Sequence, residues 1–375
     1  MARPQRIGIL TSGGDCGGLN AVIRAVVRRA RDYHMDVFGI KDATAGLMAR
    51  PVEAVHLDVK GVSGILRYGG TILGTVNKGN PFAYPMADGS VVDRSEEVIQ
   101  GYHQLGLEAL IGVGGDGSLT ILRKLAQQGG WNFVGVPKTI DNDVGATENS
   151  VGFNTALSVA VEALDQLTYT AISHSRVMVM EVMGRDAGHI AISAGIAGGA
   201  HVILIPEIPY TLENVCHKIL ERKSHGANFS IVVVAEAVKT ESGDPVKYTN
   251  SLGQCLYGGI GQYIGNEIAL RTGIETRVMN LGHLQRGGTP SPLDRLLGAA
   301  FGVAAVDLIA QERFDRMVAW QNRRVVDVPL AEAVAGYRGV APDDILVATA
   351  RGLNAYVGEI EAPPIAASVP LHSTC

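Results

Sequence analysis

Paired cysteines, a surplus of basic residues and long apolar runs are all missing from this chain. Its four cysteines, Cys16, Cys216, Cys255 and Cys375, stand far apart with no CxxC pair. Neither a zinc site nor a disulfide framework is implied, and a reducing cytoplasm is the simplest compartment. A net charge of −5 argues against a broad nucleic-acid or anionic-membrane surface, which would need clustered Lys and Arg in excess. An anionic substrate would have to be held by local charge. The N-terminal run Ile7 to Leu10 is too short for a signal-peptide core, and no segment reaches about 18 uninterrupted apolar residues, so no membrane partner is expected. What is present is 375 residues, 46% apolar and 18% charged, enough for one large core or two smaller ones. Forty-seven glycines exceed the usual share of roughly 7%. Many end apolar runs, where they let backbone approach a ligand.

Short apolar runs alternate with helical patterns from end to end. Candidate strands are Ile7 to Thr11, Val37 to Ile40, Ala109 to Val113, Phe133 to Val136, Val177 to Val182, Val202 to Ile205, Ile231 to Ala235 and Arg277 to Leu281. Helical stretches between them include Asn20 to Tyr33, Ser95 to Leu105, Ser118 to Gln128, Thr155 to Leu167, Leu212 to His225, Gly259 to Arg271 and Pro292 to Gln311. This alternation predicts an α/β protein with mainly parallel sheets, helices on both faces and ligands outside the carboxyl ends of the strands. Two doubly wound lobes with the active site in the cleft between them are expected. The first would cover 1–152, with 285–353 returning to it, and the second 153–284. Segment 44–92, rich in Gly, Pro and Asn, reads as loop or hairpin, and 354–375, with Pro363, Pro364 and Pro370, as a loose tail.

Every candidate motif follows a strand. Thr11 to Gly18, reading TSGGDCGG, offers backbone N–H groups to a phosphate, with Asn20 as a possible helix cap. The loop does not fit GxGxxG or GxxxxGK[ST] spacing, so it supports neither a Rossmann dinucleotide site nor a P-loop. Gly114-Gly115-Asp116-Gly117-Ser118 repeats the idea with an acid inside it. Asp116 could reach a phosphate-bound magnesium directly or through water, since that ion favours oxygen ligands and keeps several waters. PKTIDND at 137–143 adds Lys138, Thr139, Asp141 and Asp143. Asp141 is the expected general base for a substrate hydroxyl, and Asp143 would orient it or the metal. Phosphoryl transfer asks the protein mostly for positioning and charge neutralisation, so a carboxylate base, a metal and nearby cations form a sufficient set. Taken singly, each loop also fits a plain turn, and each arginine a solvated surface charge.

TSGGD at 11–15, GGDGS at 114–118, PKTIDND at 137–143, EVMGR at 181–185 and GHLQRGG at 282–288 occur in that order. Through them the chain resembles the 6-phosphofructokinases of the phosphofructokinase A family over about Arg6 to Gln311. The resemblance implies magnesium-dependent transfer of the ATP γ-phosphoryl to O1 of fructose 6-phosphate, in glycolysis, by a cytoplasmic homotetramer or homodimer. Gly13, Asn77, Lys78, Lys138 and Gly114 to Ser118 (Gly114, Gly115, Asp116, Gly117, Ser118) would hold the donor, with Asp116 serving the magnesium. Thr139, Asp141 and Asp143 would surround the acceptor hydroxyl. Met183, Gly184, Arg185 and Glu236 match sugar-contacting positions, Arg185 also facing the transferring phosphoryl. His283 and Arg286 match a pair gripping the 6-phosphate, and Arg176 and Arg277 match arginines supplied by a neighbouring subunit.

The pattern departs from the family in places. Pyrophosphate users show Asp at Gly117 and Lys at Lys138, and ATP users Gly at both, so this chain is mixed. Gly117 leaves room for an α-phosphate and nucleoside, which favours ATP, with a pyrophosphate-dependent phosphotransferase as the alternative. Arg24 and Arg28 match basic positions of the bacterial effector cleft, but Lys60, Gly64, Thr168, Ala227 and Asn228 replace the residues expected with them. Lipid and NAD kinases share GGDG but do not account for PKTIDND or GHLQRGG. A non-catalytic sensing subunit of the same fold is a further alternative, disfavoured because Asp116, Asp141 and Arg185 are all present.

Overall fold

The computed structural model describes residues 4–77, 79–86, 88–249 and 255–359. In the N-terminal part, β1 (Arg6–Thr11), α1 (Leu19–Asp32), β2 (Asp36–Ile40), α2 (Thr44–Met48) and β3 (Ala54–Leu57) lead to a small hairpin, β4 (Tyr84–Pro85) with β5 (Val91–Val92). Then come α3 (Ser95–Gln104), β6 (Ala109–Gly114), α4 (Asp116–Gly129), β7 (Phe133–Thr139) and β8 (Val151–Gly152). The middle of the chain carries α5 (Phe153–His174), β9 (Val177–Val182), α6 (His189–Ala197), β10 (Val202–Leu204), α7 (Leu212–Ser224) and β11 (Ser230–Ala235). After the hairpin of β12 (Lys247–Thr249) and β13 (Cys255–Tyr257) follow α8 (Ile260–Thr272), β14 (Thr276–Asn280) and α9 (Pro292–Ala310). The chain closes with β15 (Arg316–Gln321), β16 (Arg324–Pro329), α10 (Leu330–Ala335) and α11 (Ile345–Gly352).

The large sheet has the order β16-β15-β7-β6-β1-β2-β3, with β8 beside β7. Only β3 and β16 run antiparallel to their neighbours. From β1 the chain winds one way through β2 and the other way through β6 and β7, so the strand order reverses between β1 and β6. Such a switch point opens a crevice at the carboxyl ends of the strands, and there the Thr11 and Gly114 loops meet. The second sheet, β10-β11-β9-β14, is wholly parallel. One apolar cluster runs through both sheets, from Ile7 and Val136 to Val179 and Val233.

Helix α1 buries Leu19, Val22, Ile23, Val26, Val27 and Ala30, a stripe at the i, i+3, i+4 spacing of an amphipathic helix. It lies against α9, where a Cβ at Gly302 would come within 2.7 Å of the Val22 carbonyl oxygen. Close approach of the two backbones needs glycine there.

Several expectations require correction. Asn20 does not cap α1, because Gly18 occupies that position at φ 107°. Asn20 is instead inside the helix, its Nδ2 donating to the carbonyls of Tyr68, Gly69 and Gly70 while its Oδ1 accepts from the Ile72 N–H. Segment 44–92 contains α2 and β3 as well as the short hairpin. Residues 354–359 are not loose: Tyr356 bridges Val202 at the edge of the second sheet, and its carbonyl accepts from the Ile203 N–H at 2.8 Å. Residues 360–375 lie outside the described residues. α11 packs on α6, so the last part of 285–353 sits by the second sheet.

Candidate functional site

Three loops at the carboxyl end of the large sheet and two arginines from beyond it enclose a cleft of about 450 Å³. Gly13, Gly14, Asn77, Gly115, Asp116, Gly117, Ser118, Lys138, Thr139, Asp141, Arg185 and Arg286 all line it, together with Ile121. Gly13 sits at φ 85°, and a Cβ on it would meet Ser118 Oγ at 3.1 Å and Lys138 Nζ at 3.2 Å. The loop is pinned from outside, Thr75 Oγ1 donating to the Gly13 carbonyl at 2.6 Å. Ser12 Oγ donates to Ser118 Oγ at 3.1 Å, which ties the first two loops together. Gly114 ends β6 beneath Ser118, and Asp116 opens the 14-residue helix α4 with no side-chain cap on its first N–H groups. That helix end offers free donors and favourable potential to an anion. A Cβ on Gly117 would meet nothing within 4 Å.

The third loop holds its acids under tension between burial and charge. β7 continues through Thr139, three residues beyond its expected end. Thr139 Oγ1 donates to Asp141 Oδ2 at 3.2 Å and accepts from the Asp141 N–H at 3.1 Å, which fixes the carboxylate over the strand end. Asp141 is 8% exposed. Burial raises its pKa, while Arg286, the Thr139 hydrogen bond, Arg185 and Lys138 pull it back. Burial, then Asp141 and Asp116, push Asp143 up to about 6, and its Oδ1 has no hydrogen-bond partner. Lys138, buried beside them, donates from Nζ to the Gly14 carbonyl at 2.7 Å. Burial lowers its pKa.

The opposite wall is the turn after β9. Arg185 has φ 52°, a left-handed backbone uncommon for a side-chain-bearing residue and often associated with functional sites. Glu236 holds it there: its Oε1 accepts from the N–H groups of Gly184 at 3.3 Å and Arg185 at 2.9 Å. Burial pushes the Glu236 carboxyl up to about 7 despite those bonds. The Arg185 guanidinium crosses the cleft to Asp116 at 3.5 Å. Met183 and Gly184 lie in the same turn.

Not every expected residue converges. Arg286 reaches the first loop, its Nη1 donating to the Asp15 carbonyl at 3.2 Å. His283, three residues earlier, lines an adjoining hollow against α5, beside Glu162 and Gln166. Arg176 and Arg277 sit at the starts of their strands, both beside Glu275, at 2.9 and 2.6 Å. Lys78 lies outside the described residues. Sequence reasoning assigned no role to Glu181, which is 3% exposed in β9 and accepts from Gly259 N–H, Gly261 N–H and Asn280 Nδ2. A lone acid in the strand VMVMEV was the available signal, because a buried charge needs partners. Asp294 was also missed. It is fully buried and takes hydrogen bonds from Gly152, Thr155 and Ser291, fastening the start of α9 to that of α5.

Among the described residues no cluster of three or more His, Cys, Asp or Glu forms a protein cage for a metal. One partly exposed carboxylate, Asp116, faces open cleft. Such a hard, single-oxygen donor set suits magnesium, which is commonly held by one or two carboxylates, phosphates and water.

A family model described as phosphofructokinase matches residues 6–309. The chain belongs to the phosphofructokinase family. It is 61% identical over 359 residues to the ATP-dependent 6-phosphofructokinase 1 of Nostoc sp., covering 96% of this chain and 100% of that protein. To the ATP-dependent 6-phosphofructokinase 1 of Synechocystis sp. it is 63% identical over 359 residues, covering 96% and 99%. Phosphofructokinase from Saccharomyces cerevisiae superposes with a TM-score of 0.77 at 29% identity, over 93% of this chain and 46% of that one. The pyrophosphate-dependent phosphofructokinase from Nitrosospira multiformis gives a TM-score of 0.77 over 98% and 96%, but at 20% identity this is a likeness of fold. The mainly parallel α/β architecture expected from sequence is therefore a phosphofructokinase architecture.

Proposed function

We propose that this chain catalyses transfer of the ATP γ-phosphoryl to O1 of fructose 6-phosphate, giving fructose 1,6-bisphosphate. The observation that carries the reading is the buried Asp141 carboxylate facing the same cleft as the Gly13 and Asp116 loops and the Arg185 guanidinium. In this reading the large-sheet lobe binds the donor. Backbone N–H groups of the first two loops and the end of α4 take the phosphates, Lys138 lends a cation from below, and Asp116 would hold a magnesium ion that neutralises phosphate charge. Asp141 accepts the proton of the 1-hydroxyl, oriented by Thr139 and supported by Asp143. Arg185 swings from Asp116 to the transferring phosphoryl. Met183, Gly184 and Glu236 contact the sugar, and Arg286 with His283 the 6-phosphate.

ATP is the donor. The open space beside Gly117 supports this, as do the printed names of the relatives. Lys138 already spends one donor on Gly14, which explains its presence without pyrophosphate. Arg176 and Arg277 lie away from their own cleft, and we assign them to a neighbouring subunit's sugar-phosphate site within a cytoplasmic homotetramer. No helix among the described residues is long and apolar enough to cross a membrane. The test is formation of fructose 1,6-bisphosphate by the purified protein with magnesium and ATP, ADP or pyrophosphate in separate reactions. Product with ATP is expected; product with pyrophosphate alone would reverse the donor, and none with any donor would sink the reading.

A further inference from the structure

Arg338 lies outside the cleft, yet its contacts reach both of the cleft's walls. It follows α10 on a segment leaving the large sheet, where Tyr337 pairs with Val144 in an isolated antiparallel bridge. The Arg338 N–H donates to the Asp143 carbonyl at 3.0 Å. Its guanidinium Nη1 donates to the carbonyls of Thr147 at 2.8 Å and Glu148 at 3.0 Å. The same loop is closed on itself by Asn142, whose Nδ2 donates to the Glu148 carbonyl and whose Oδ1 accepts from the Ser150 N–H. From outside, the loop leaving Asp141 is held by Arg338 on one side and by the end of β15 on the other, where Trp320, Gln321 and Asn322 bond Ala146, Thr147 and Glu148.

On the other side, the Arg338 carbonyl lies 2.9 Å from His189 Nε2. A carbonyl has no proton to give, so that nitrogen carries the hydrogen and donates. His189 opens α6, shortly after the Met183 to Arg185 turn, and burial lowers its pKa, favouring the neutral ring. Glu207 doubles the tie, its Oε1 accepting from the N–H groups of Gly188 at 2.9 Å and Val340 at 2.8 Å.

We infer that Arg338 is a positioning residue that fixes the Asp141–Asp143 loop against the turn carrying Met183 and Arg185. It thereby sets the spacing between the base on one wall and the sugar-facing groups on the other. The inference rests on the phosphofructokinase reading. Proton transfer to Asp141 needs a heavy-atom separation of about 3 Å, and a displacement of about 1 Å from a remote change can slow turnover about 10²-fold.

Arg338→Ala, Arg338→Lys and His189→Ala are assayed beside the wild type with fructose 6-phosphate and magnesium ATP. In Arg338→Ala, kcat is expected to fall roughly 10- to 10²-fold, with KM for ATP unchanged because the Gly13 and Asp116 loops are not tied to this residue. Arg338→Lys should recover part of the turnover, since an ammonium keeps the charge and can still donate to a carbonyl but lacks the planar fork. His189→Ala, which cuts the tie at its far end, should lower kcat in the same direction. A folded Arg338→Ala enzyme with wild-type kcat overturns the inference. So does one whose turnover falls only in proportion to the folded fraction seen by circular dichroism. If Arg338→Ala does not fold, Arg338→Lys and His189→Ala decide on the same criteria. An inactive wild type would remove the phosphofructokinase reading and this inference together, whereas an active wild type with unaffected variants removes only the role of Arg338.

Discussion

Asp141 and Glu236 show what burial does to carboxyls at the candidate site. At Asp141 the effect of burial is opposed by Arg286, Thr139 and Arg185, which favours the proton-accepting role proposed for it. Asp141→Asn preserves the shape and the Thr139 contact but removes the base. Steady-state assays should show kcat reduced by at least about 10²-fold, and near-normal turnover would remove Asp141 from that role. Glu236 is raised by burial too, up to about 7 from an ordinary value of 4.5. The folded chain thus holds a proton that the unfolded chain has released, so this group makes stability fall as pH rises from about 4.5 to about 7. Asp143, up to about 6, acts in the same direction. Urea denaturation across that window should show a shallower decline in Glu236→Gln than in the wild type.

The elements most legible in the sequence were those whose pattern and punctuation agreed. β1, β6, β7, β9 and β11 are short apolar runs, the first three closed by Thr11, Gly114 and Thr139, and all lie where the runs place them. α6 escaped notice because HIAISAGIA is apolar all round and has no polar face to set a period. The β15–β16 hairpin escaped because its turn uses Asn322 and Arg323 at φ 49° and 61°, where an Asn-Gly pair would have been the recognisable sign. The loops of the site were readable as motifs, but their supports were not. Arg338 meets the carbonyls of Thr147 and Glu148 across 191 and 190 residues, and no local pattern encodes a pairing of that span. Between α1 and α9 the sequence shows glycines without showing what they face. Gly302→Ala would press a methyl group against the Val22 carbonyl and Ala25 Cβ, both at 2.7 Å. Overpacking of that kind costs about 1–3 kcal/mol, and thermal unfolding should report it as a lowered midpoint.

At the scale of the whole molecule, the proposed assignment of Arg176 and Arg277 to a neighbouring subunit's cleft would make the active site a property of the assembly. Arg277→Ala subunits keep an intact base, and Asp141→Asn subunits keep both arginines. Each should be weakly active alone. Dissociated and reassembled together, they should form some sites that combine a working Asp141 with a working Arg277, and turnover should recover above the sum of the two. No recovery in confirmed mixed oligomers would place both residues in a single subunit's site.

Tyr356 lies far from any chemistry, but it occupies the outer edge of the second sheet beside β10. Cutting the chain before Ala355 would strip that cover and leave Val202 to Leu204 with unpaired backbone donors and acceptors along an apolar strand. Such an edge recruits other strands. A shortened protein of this kind should therefore fail by self-association, visible in light scattering, before its catalytic residues are disturbed, and expression designs should keep the chain through Glu359.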